Sequence, residues 1–141
     1  MKFNSTKELL KQARKDGACK GFEEWVSELG DLRQVFNQCC ADWRRWALHH
    51  RYEQFANKDF ILLQGDETLD TVHKGQLVIL LDHARITGEI KGGEVGFWDT
   101  SQNGGEIKGG IVRFFAASQN KGEIKGGIVH LRKFSNPTIF H

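Results

Sequence analysis

The cysteines and histidines in the first part of the chain are the residue types that suit a zinc site. They are Cys19, Cys39, Cys40, His49 and His50. Adjacent residues on a helix diverge by about 100°, so neighbouring thiols seldom ligate one metal ion. The chain also lacks Cys-x-x-Cys and a spaced histidine pair. The pattern therefore favours buried cysteines that act as small hydrophobes and histidines on the surface, with no metal and no other cofactor.

Candidates for catalysis are equally sparse. No residue gives a cysteine the activating neighbour that a nucleophile needs. The glycine-rich stretches lack the Lys-Ser/Thr ending of a phosphate-binding loop and have no helix after them. His73, His83 and His130 fall in different registers of the repeat described below. We therefore predict that the protein is not an enzyme.

A basic segment that contains tryptophans is the third candidate. Arg44, Arg45 and Arg51 lie close to Trp43 and Trp46, and arginines beside aromatic rings can bind a nucleic-acid backbone and stack on bases. The i, i+3 spacing of the tryptophans is more typical of a core, with the arginines on the wet side of a helix. The three arginines are retained as a second contact surface, and nucleic-acid contact remains an alternative.

The second half of the chain is built from a sequence repeat, and this repeat must position the side chains there. The hexapeptide Gly-Glu-Ile-Lys-Gly-Gly begins at Gly88, Gly105 and Gly122, so its period is 17 residues. A short fixed period indicates stacked copies of one unit. The glycines and the short apolar runs exclude a helix and leave two strands per unit, with a bend at each Gly-Gly pair. We predict a short β-solenoid.

The repeat extends beyond the hexapeptide. Gly75 lies 17 residues before Gly92, and we expect a glycine-aided turn there. We expect Asn103 and Asn120 at the next corner, where asparagine tolerates the left-handed conformation. The predicted clear repeats are residues 88–104, 105–121 and 122–138, with a degenerate copy at 71–87 and one further turn around 60–63.

Alternation along the second strand predicts which side chains face inward. The columns of Val112 and Phe114 stay apolar in every clear copy and should form the core. The outward columns are variable and contain aromatic and aliphatic residues, as expected of a partner interface. The same face could instead be covered by a loop, by the amino-terminal helices or by a second copy. The predicted partner-binding residues are Trp98, Ile111, Arg113, Phe115 and Arg132.

Residues 1–58 read as four short helices. Ser5 with Glu8 forms a capping-box signature, Gly30 suits a helix end, and Asp31 can cap the next helix. Helices this short make a marginal bundle alone, so we expect them to cap the open end of the solenoid. The predicted fold class is α+β, with a helical cap domain at 1–58 and a β-solenoid domain built from 17-residue repeats at 59–141.

The helical segment resembles the leader of uncharacterised phage and prophage proteins, over residues 5–50. The matching residues are Cys19, Gly21, Trp25, Cys39 or Cys40, and the run Asp42-Trp43-x-x-Trp46-Ala47-Leu48. The chain departs from that pattern at Arg44 and Arg45, and its repeats are longer. The resemblance implies a mobile-element origin and a helical leader followed by a repeat stack. It implies no reaction.

Charge and cysteine content limit the classes of partner and the cellular location that we expect. Residues 1–58 have a formal net charge of +3 and residues 59–141 of −1, and neither value suits a nucleic-acid binder or a DNA mimic. The first residues lack the apolar region of a signal peptide, and no segment resembles a membrane span. Three cysteines, an odd number, suggest a reduced cytoplasmic location.

Together these observations predict a non-catalytic protein that binds a partner. The resemblance and the small size suggest a phage protein that blocks a host complex, such as a CRISPR effector, as an anti-defence inhibitor. A self-assembling structural solenoid, including a homodimer, is the alternative from another class.

Overall fold

The computed structural model describes the backbone of residues 1–133 and 136–140 and the side chains of residues 1–131. The chain divides into two compact units, Met1–Asn57 and Lys58–His141. Four helices form the first unit, and parallel strands that repeat every 17 residues form about four turns of a β-solenoid in the second. The predicted fold class, helices followed by a 17-residue β-solenoid, is confirmed.

Local capping signals define the helices. The Glu8 amide donates to the Ser5 hydroxyl at 3.1 Å, and Gly30 ends its helix at φ 63°. The Asp31 carboxylate accepts from the amide of Arg33, so the predicted caps are confirmed. The elements are α1 (Thr6–Lys15), α2 (Lys20–Leu29), α3 (Leu32–Gln38), α4 (Ala41–His49) and a 3-10 turn (Glu53–Phe55).

Aromatic side chains form the core of the helical unit. Phe22 is fully buried, and its ring centroid lies 5.5 Å from that of Trp43 and 5.8 Å from that of Trp46. Phe55 and Tyr52 close the same cluster from the end of the unit. The two tryptophans of α4 are half-buried and pack against Phe22, as their i, i+3 spacing predicts.

Arg44 is the main departure from the sequence-based expectation for α4. Its side chain is buried, and the guanidinium donates to the carbonyl of Phe55 at 2.6 Å and to that of Cys39 at 3.1 Å. The prediction that Arg44 lies on the wet side is therefore wrong. The carbonyls at the end of α3 and in the 3-10 turn need donors, and Arg44 supplies them from α4.

Replacing Arg44 with methionine should lower the free energy of unfolding of the helical unit by about 2 kcal/mol, because two buried carbonyls lose their donor. Arg45→Met is the matched control. Arg45 is exposed, and its ion pair with Asp42 is 3.5 Å long and solvent-accessible, so its loss should change stability by less than about 0.5 kcal/mol. Urea unfolding followed by circular dichroism measures both variants, and equal effects would contradict the structural role of Arg44.

Two sheets form the solenoid. Sheet 1 has the strand order β1-β3-β5-β8-β11-β12, and sheet 2 stacks β2, β4, the pair β6 and β7, and the pair β9 and β10. A rung is one strand of sheet 1 followed by one layer of sheet 2. The strands are β1 (Phe60–Leu63), β2 (Thr68–Val72), β3 (Leu77–Leu80), β4 (Arg85–Ile90), β5 (Glu94–Phe97), β6 (Gln102–Asn103), β7 (Glu106–Ile107), β8 (Ile111–Phe114), β9 (Gln119–Asn120), β10 (Glu123–Ile124), β11 (Ile128–Lys133) and β12 (Asn136–Phe140).

Sheet 1 keeps the 17-residue register through all its parallel strands. Phe60 pairs with Leu77, Leu77 with Glu94, and the same step continues to Ile111 and Ile128. The weak turn expected around residues 60–63 is therefore a full member of the stack. The hydrophobic alternation of a strand, rather than the glycine hexapeptide, preserves this register.

Sheet 2 departs from the period once, in its first layer. Val72 pairs with Ile90, a step of 18 residues, because β4 contains one additional residue at a bulge. Gly75, at φ 83°, therefore occupies the place of Gly93, at φ 78°. The predicted alignment of Gly75 with Gly92 is wrong by one residue.

The core lies between the sheets. From sheet 1 the alternating inward residues are apolar in every rung, and Phe97 and Phe114 stack with ring centroids 4.6 Å apart. From sheet 2, aliphatic side chains face them, so each rung buries a thin apolar layer. The fully buried members include Val78, Val112, Val129, Ile86, Ile90 and Ile107.

Asn103 and Asn120 belong to this interior and not to a corner. Asn103 is fully buried, and its amide nitrogen donates to the Asn120 side-chain oxygen at 2.8 Å. Its own side-chain oxygen accepts from the amide of Gly105 at 3.2 Å. The predicted left-handed corner at these asparagines is wrong, because a stacked amide ladder offers each side chain a partner one rung away.

A left-handed corner of non-glycine residues follows β3, β5 and β8, at Asp82, Asp99 and Ala116, where φ is 53–56°. The Asp82 carboxylate accepts from the amide of Gly65 one rung back, and Asp99 does the same for Asp82, both at 2.9 Å. Ala116 offers no such acceptor and adopts a conformation that costs alanine about 1–2 kcal/mol.

Ala116→Asn should raise the free energy of unfolding by about 1 kcal/mol, since asparagine tolerates the left-handed region and adds a side-chain acceptor. Ala117→Asn is the control, because Ala117 is equally exposed but lies outside that region. Thermal unfolding measures the difference. A stabilisation shared by both variants would contradict the conformational argument.

The parallel stack of sheet 1 ends at β11. The strand after it, β12, runs antiparallel, with Val129 opposite Phe140 and Lys133 opposite Asn136. A reversed strand cannot continue a coil of parallel rungs, so β12 closes this edge of sheet 1. Within the described residues, no helix has the length and apolar character that crossing a membrane requires.

Candidate protein-binding face

The outer side of sheet 1 brings together the residues that the outward columns predicted. Ile111 pairs with Ile128 one rung on, and Gly96 pairs with Arg113. These neighbours form one continuous surface over the third, fourth and fifth rungs, here called the apolar face. It consists of Trp98, Ile111, Arg113, Phe115 and Ile128.

The aromatic column of the apolar face is a stacked pair. The rings of Trp98 and Phe115 lie 3.9 Å apart at their centroids and only 12° from parallel. The hydroxyl of Ser101 donates to the Trp98 carbonyl at 2.6 Å, and Ser118 does the same for Phe115. One face of each ring therefore contacts the other ring, and the aromatic column is a rigid pair.

Arg113 places the charge of the apolar face beside its aliphatic residues. Its guanidinium lies 4.0 Å from the Glu94 carboxylate, and both side chains are more than 40% exposed. An exposed ion pair of this length contributes little to stability. Its groups remain accessible for hydrogen bonds to a partner.

Ile128 is the residue of this face that the sequence analysis did not select. It is 42% exposed, whereas Ile111 in the preceding rung is half-buried. Side chains in the middle of a ladder are covered by neighbours on both sides, so the last member of an aliphatic column is the most exposed. The sequence signal for the exposure of Ile128 was its position in the last copy of the repeat.

The limits of the face are set by burial and by the described part of the chain. In the second rung the outward residues Leu77, Ile79 and Leu81 are buried, so the apolar face does not continue from the third rung into the second. The side chain of Arg132, also predicted to bind a partner, lies outside the described residues.

The outer side of sheet 2 has the opposite character. Lys108 donates to the carboxylate of Glu89 at 3.0 Å, and Lys125 to that of Glu106 at 3.1 Å, so each lysine reaches back one rung. The hydrogen bond and charge of Lys125 hold the pKa of the Glu106 carboxyl below its usual value. These charged columns give sheet 2 a solvated outer face.

The cysteines and histidines form no metal centre in the part of the chain that the structure describes. Cys39 is buried, and this burial raises the pKa of its thiol to about 12, so it stays protonated at neutral pH. Cys19 and Cys40 are exposed. The expectation of buried cysteines is confirmed for Cys39 and wrong for the other two.

The predicted second contact surface of Arg44, Arg45 and Arg51 does not include Arg44 in the structure. Arg44 is buried, as described above, while Arg45 is exposed and Arg51 is half-buried with a positive φ of 68°. An arginine that is fully engaged by backbone carbonyls cannot contact a nucleic-acid backbone. Of the three predicted arginines, Arg45 in the middle of α4 and Arg51 after its end remain.

Comparisons with protein-family models, with curated proteins and with solved structures found no match to this chain.

Proposed function

We propose that this chain is a non-catalytic binding protein that presents the apolar face of its β-solenoid to one partner protein. The single observation that carries the proposal is the rigid stack of Trp98 on Phe115 beside the exposed Ile128. Aromatic and aliphatic side chains fixed on a sheet are typical interface anchors. They lose little conformational entropy on binding.

The distribution of titratable groups supports a binding role over catalysis. His73, His83 and His130 occupy three different columns of the repeat, so no two of them converge on one point. The charged columns of sheet 2 compensate one another along the stack. These features leave the apolar face as the surface with a distinct composition.

The proposal predicts a large loss of binding for Ile128→Asp, tenfold or more, because the change puts a carboxylate where an aliphatic anchor is expected. Thr87→Asp is the matched control, since it adds the same group to an exposed strand position of sheet 2. The partner is first captured with the tagged protein from nuclease-treated bacterial lysate. Surface plasmon resonance with the purified partner then measures both variants. Equal affinities for the two variants would refute the apolar face as the interface.

The identity of the partner is proposed from the leader motif. The resemblance to phage and prophage proteins favours a host defence complex, such as a CRISPR effector, whose activity the bound solenoid would block sterically. An interference assay in bacteria that express the chain tests this role. Unchanged interference, at an expression level that saturates the captured partner, would exclude it.

Self-assembly through the same face is the second candidate, favoured by the exposure of Ile128. It predicts a mass that rises with concentration and that Ile128→Asp reduces to that of the monomer. Light scattering across a range of concentrations separates this candidate from binding to another protein.

A further inference from the structure

The last layer of sheet 2, formed by β9 and β10, has a hydrogen-bonding edge that no described strand occupies. One rung earlier, the carbonyls of Ser101, Asn103 and Ile107 accept from the amides of Gln119, Lys121 and Lys125 at 2.8–3.1 Å. The corresponding carbonyls of the last layer belong to Ser118, Asn120 and Ile124. Among the described residues, no strand pairs with this edge.

The last asparagine of the ladder, Asn120, has a side-chain N–H donor that no described residue accepts. Asn103 donates through its amide nitrogen to the side-chain oxygen of Asn120. Asn120 accepts with that oxygen, also from the amide of Gly122 at 3.2 Å. In the described part of the chain its own amide nitrogen has no acceptor. A carbonyl oxygen one rung further on would complete the ladder.

The isoleucine and glutamate columns of sheet 2 also end in the last layer, where their side chains are more exposed than one rung earlier. Ile107 is fully buried, whereas Ile124 is only half-buried. The Glu123 side chain is 74% exposed against 36% for Glu106, which accepts from the lysine of the next rung. A strand added below would cover Ile124 and could place a cation on Glu123.

We propose that this edge binds one extended strand of a partner protein, added parallel to β9 and β10 as a further layer of sheet 2. The ladder fixes the chemistry of that strand. It needs an acceptor side chain such as asparagine, a β-branched aliphatic residue four positions later, and a lysine or arginine directly after it. Strand addition of this kind obtains affinity from the backbone and specificity from alternate side chains.

The geometry of sheet 1 favours a single strand over a second copy of the solenoid. Sheet 1 has six strands, and sheet 2 has four layers. Strands β11 and β12 therefore extend about 10 Å beyond the edge of sheet 2, at about 4.8 Å per strand. The sheets of a stacked second copy would meet this extension, whereas an isolated strand would lie alongside it.

A labelled peptide with the sequence of Ala117–Gly127 is the probe, because it contains the required pattern. We expect it to bind the intact chain, with amide chemical-shift changes concentrated in β9 and β10. All substitutions are made in the peptide, so the protein stays folded. Asn120→Ala in the peptide should weaken binding about fivefold, the loss of one hydrogen bond. Ile124→Asp in the peptide should weaken it at least tenfold.

Several outcomes would overturn the proposal. They are absence of binding at millimolar peptide, equal binding of the peptide variants, and shift changes centred on β2 at the other end of sheet 2. A dimer of the protein that uses the edge of β10 would assign the site to a second copy. The Ile128→Asp protein should bind the peptide normally, so a failure of the apolar face and a failure of this edge are distinguishable.

Discussion

Gly105→Ala is expected to unfold the solenoid unit. A Cβ atom at Gly105 would lie 1.7 Å from the carbonyl oxygen of Gly88 one rung back, and a Cβ atom at Gly122 would lie 1.7 Å from the carbonyl oxygen of Gly105. The obstacle is backbone that already belongs to the ladder, so relief requires separation of two rungs. We expect a loss of 3 kcal/mol or more in the free energy of unfolding, on the scale of severe overpacking.

Gly104→Ala is the matched control for this prediction. Its Cβ would lie 3.6 Å from the carbonyl oxygen of Ile86, an ordinary contact, and its φ is not in the left-handed region. It should be neutral, or stabilising by up to about 1 kcal/mol because the unfolded chain loses freedom. Urea unfolding with amide hydrogen exchange compares the two. Similar stabilities would show that the rungs can separate at little cost.

Val112→Asp is expected to be the most destabilising change on the inner columns. Val112 is fully buried between the two sheets and stacks in register with Val95 and Val129. A carboxylate there has no partner, so we expect a loss of about 4 kcal/mol or more at pH 7. Ile128→Asp, on the outer side of the same sheet, should cost less than about 1 kcal/mol.

The pH dependence identifies the cause of this loss. Burial raises the pKa of the introduced carboxyl in the folded state above its unfolded value of about 3.9. The penalty from its charge is therefore largest above the raised pKa, and it disappears as the pH falls below the unfolded value. Val112→Asn provides a neutral comparison with no such dependence. Parallel pH profiles for the two variants would assign the loss to packing instead of charge.

The repeat could be predicted from the sequence because every rung requires the same residue types at the same positions. Glycines recur where two backbones approach closely and at the positive-φ turn of Gly93, Gly110 and Gly127, and apolar residues recur on the inward columns. The period therefore predicted the sheets, the core and the outward columns of Ile111 and Phe115. The helix caps at Ser5 and Asp31 were equally local, since each is satisfied within three residues.

Features that depend on a contact with a residue far away in the chain could not be predicted from local sequence patterns. Nothing in the neighbourhood of Arg44 indicates that the carbonyls of Cys39 and Phe55 converge on it. The inward position of Asn103 depends on an identical side chain 17 residues away. The bulge before Val72 shifts one layer by a residue that the period alone does not place.

The sequence by itself determined the class of fold and the columns from which a binding surface could be built, because periodic spacing is a property of the chain. The tertiary structure decided which members of those columns are exposed. Stacking buries one face of Trp98 against one face of Phe115 and leaves Ile128 exposed at the end of its column. Exposure depends on what lies one rung above and below, and only the folded stack supplies those neighbours.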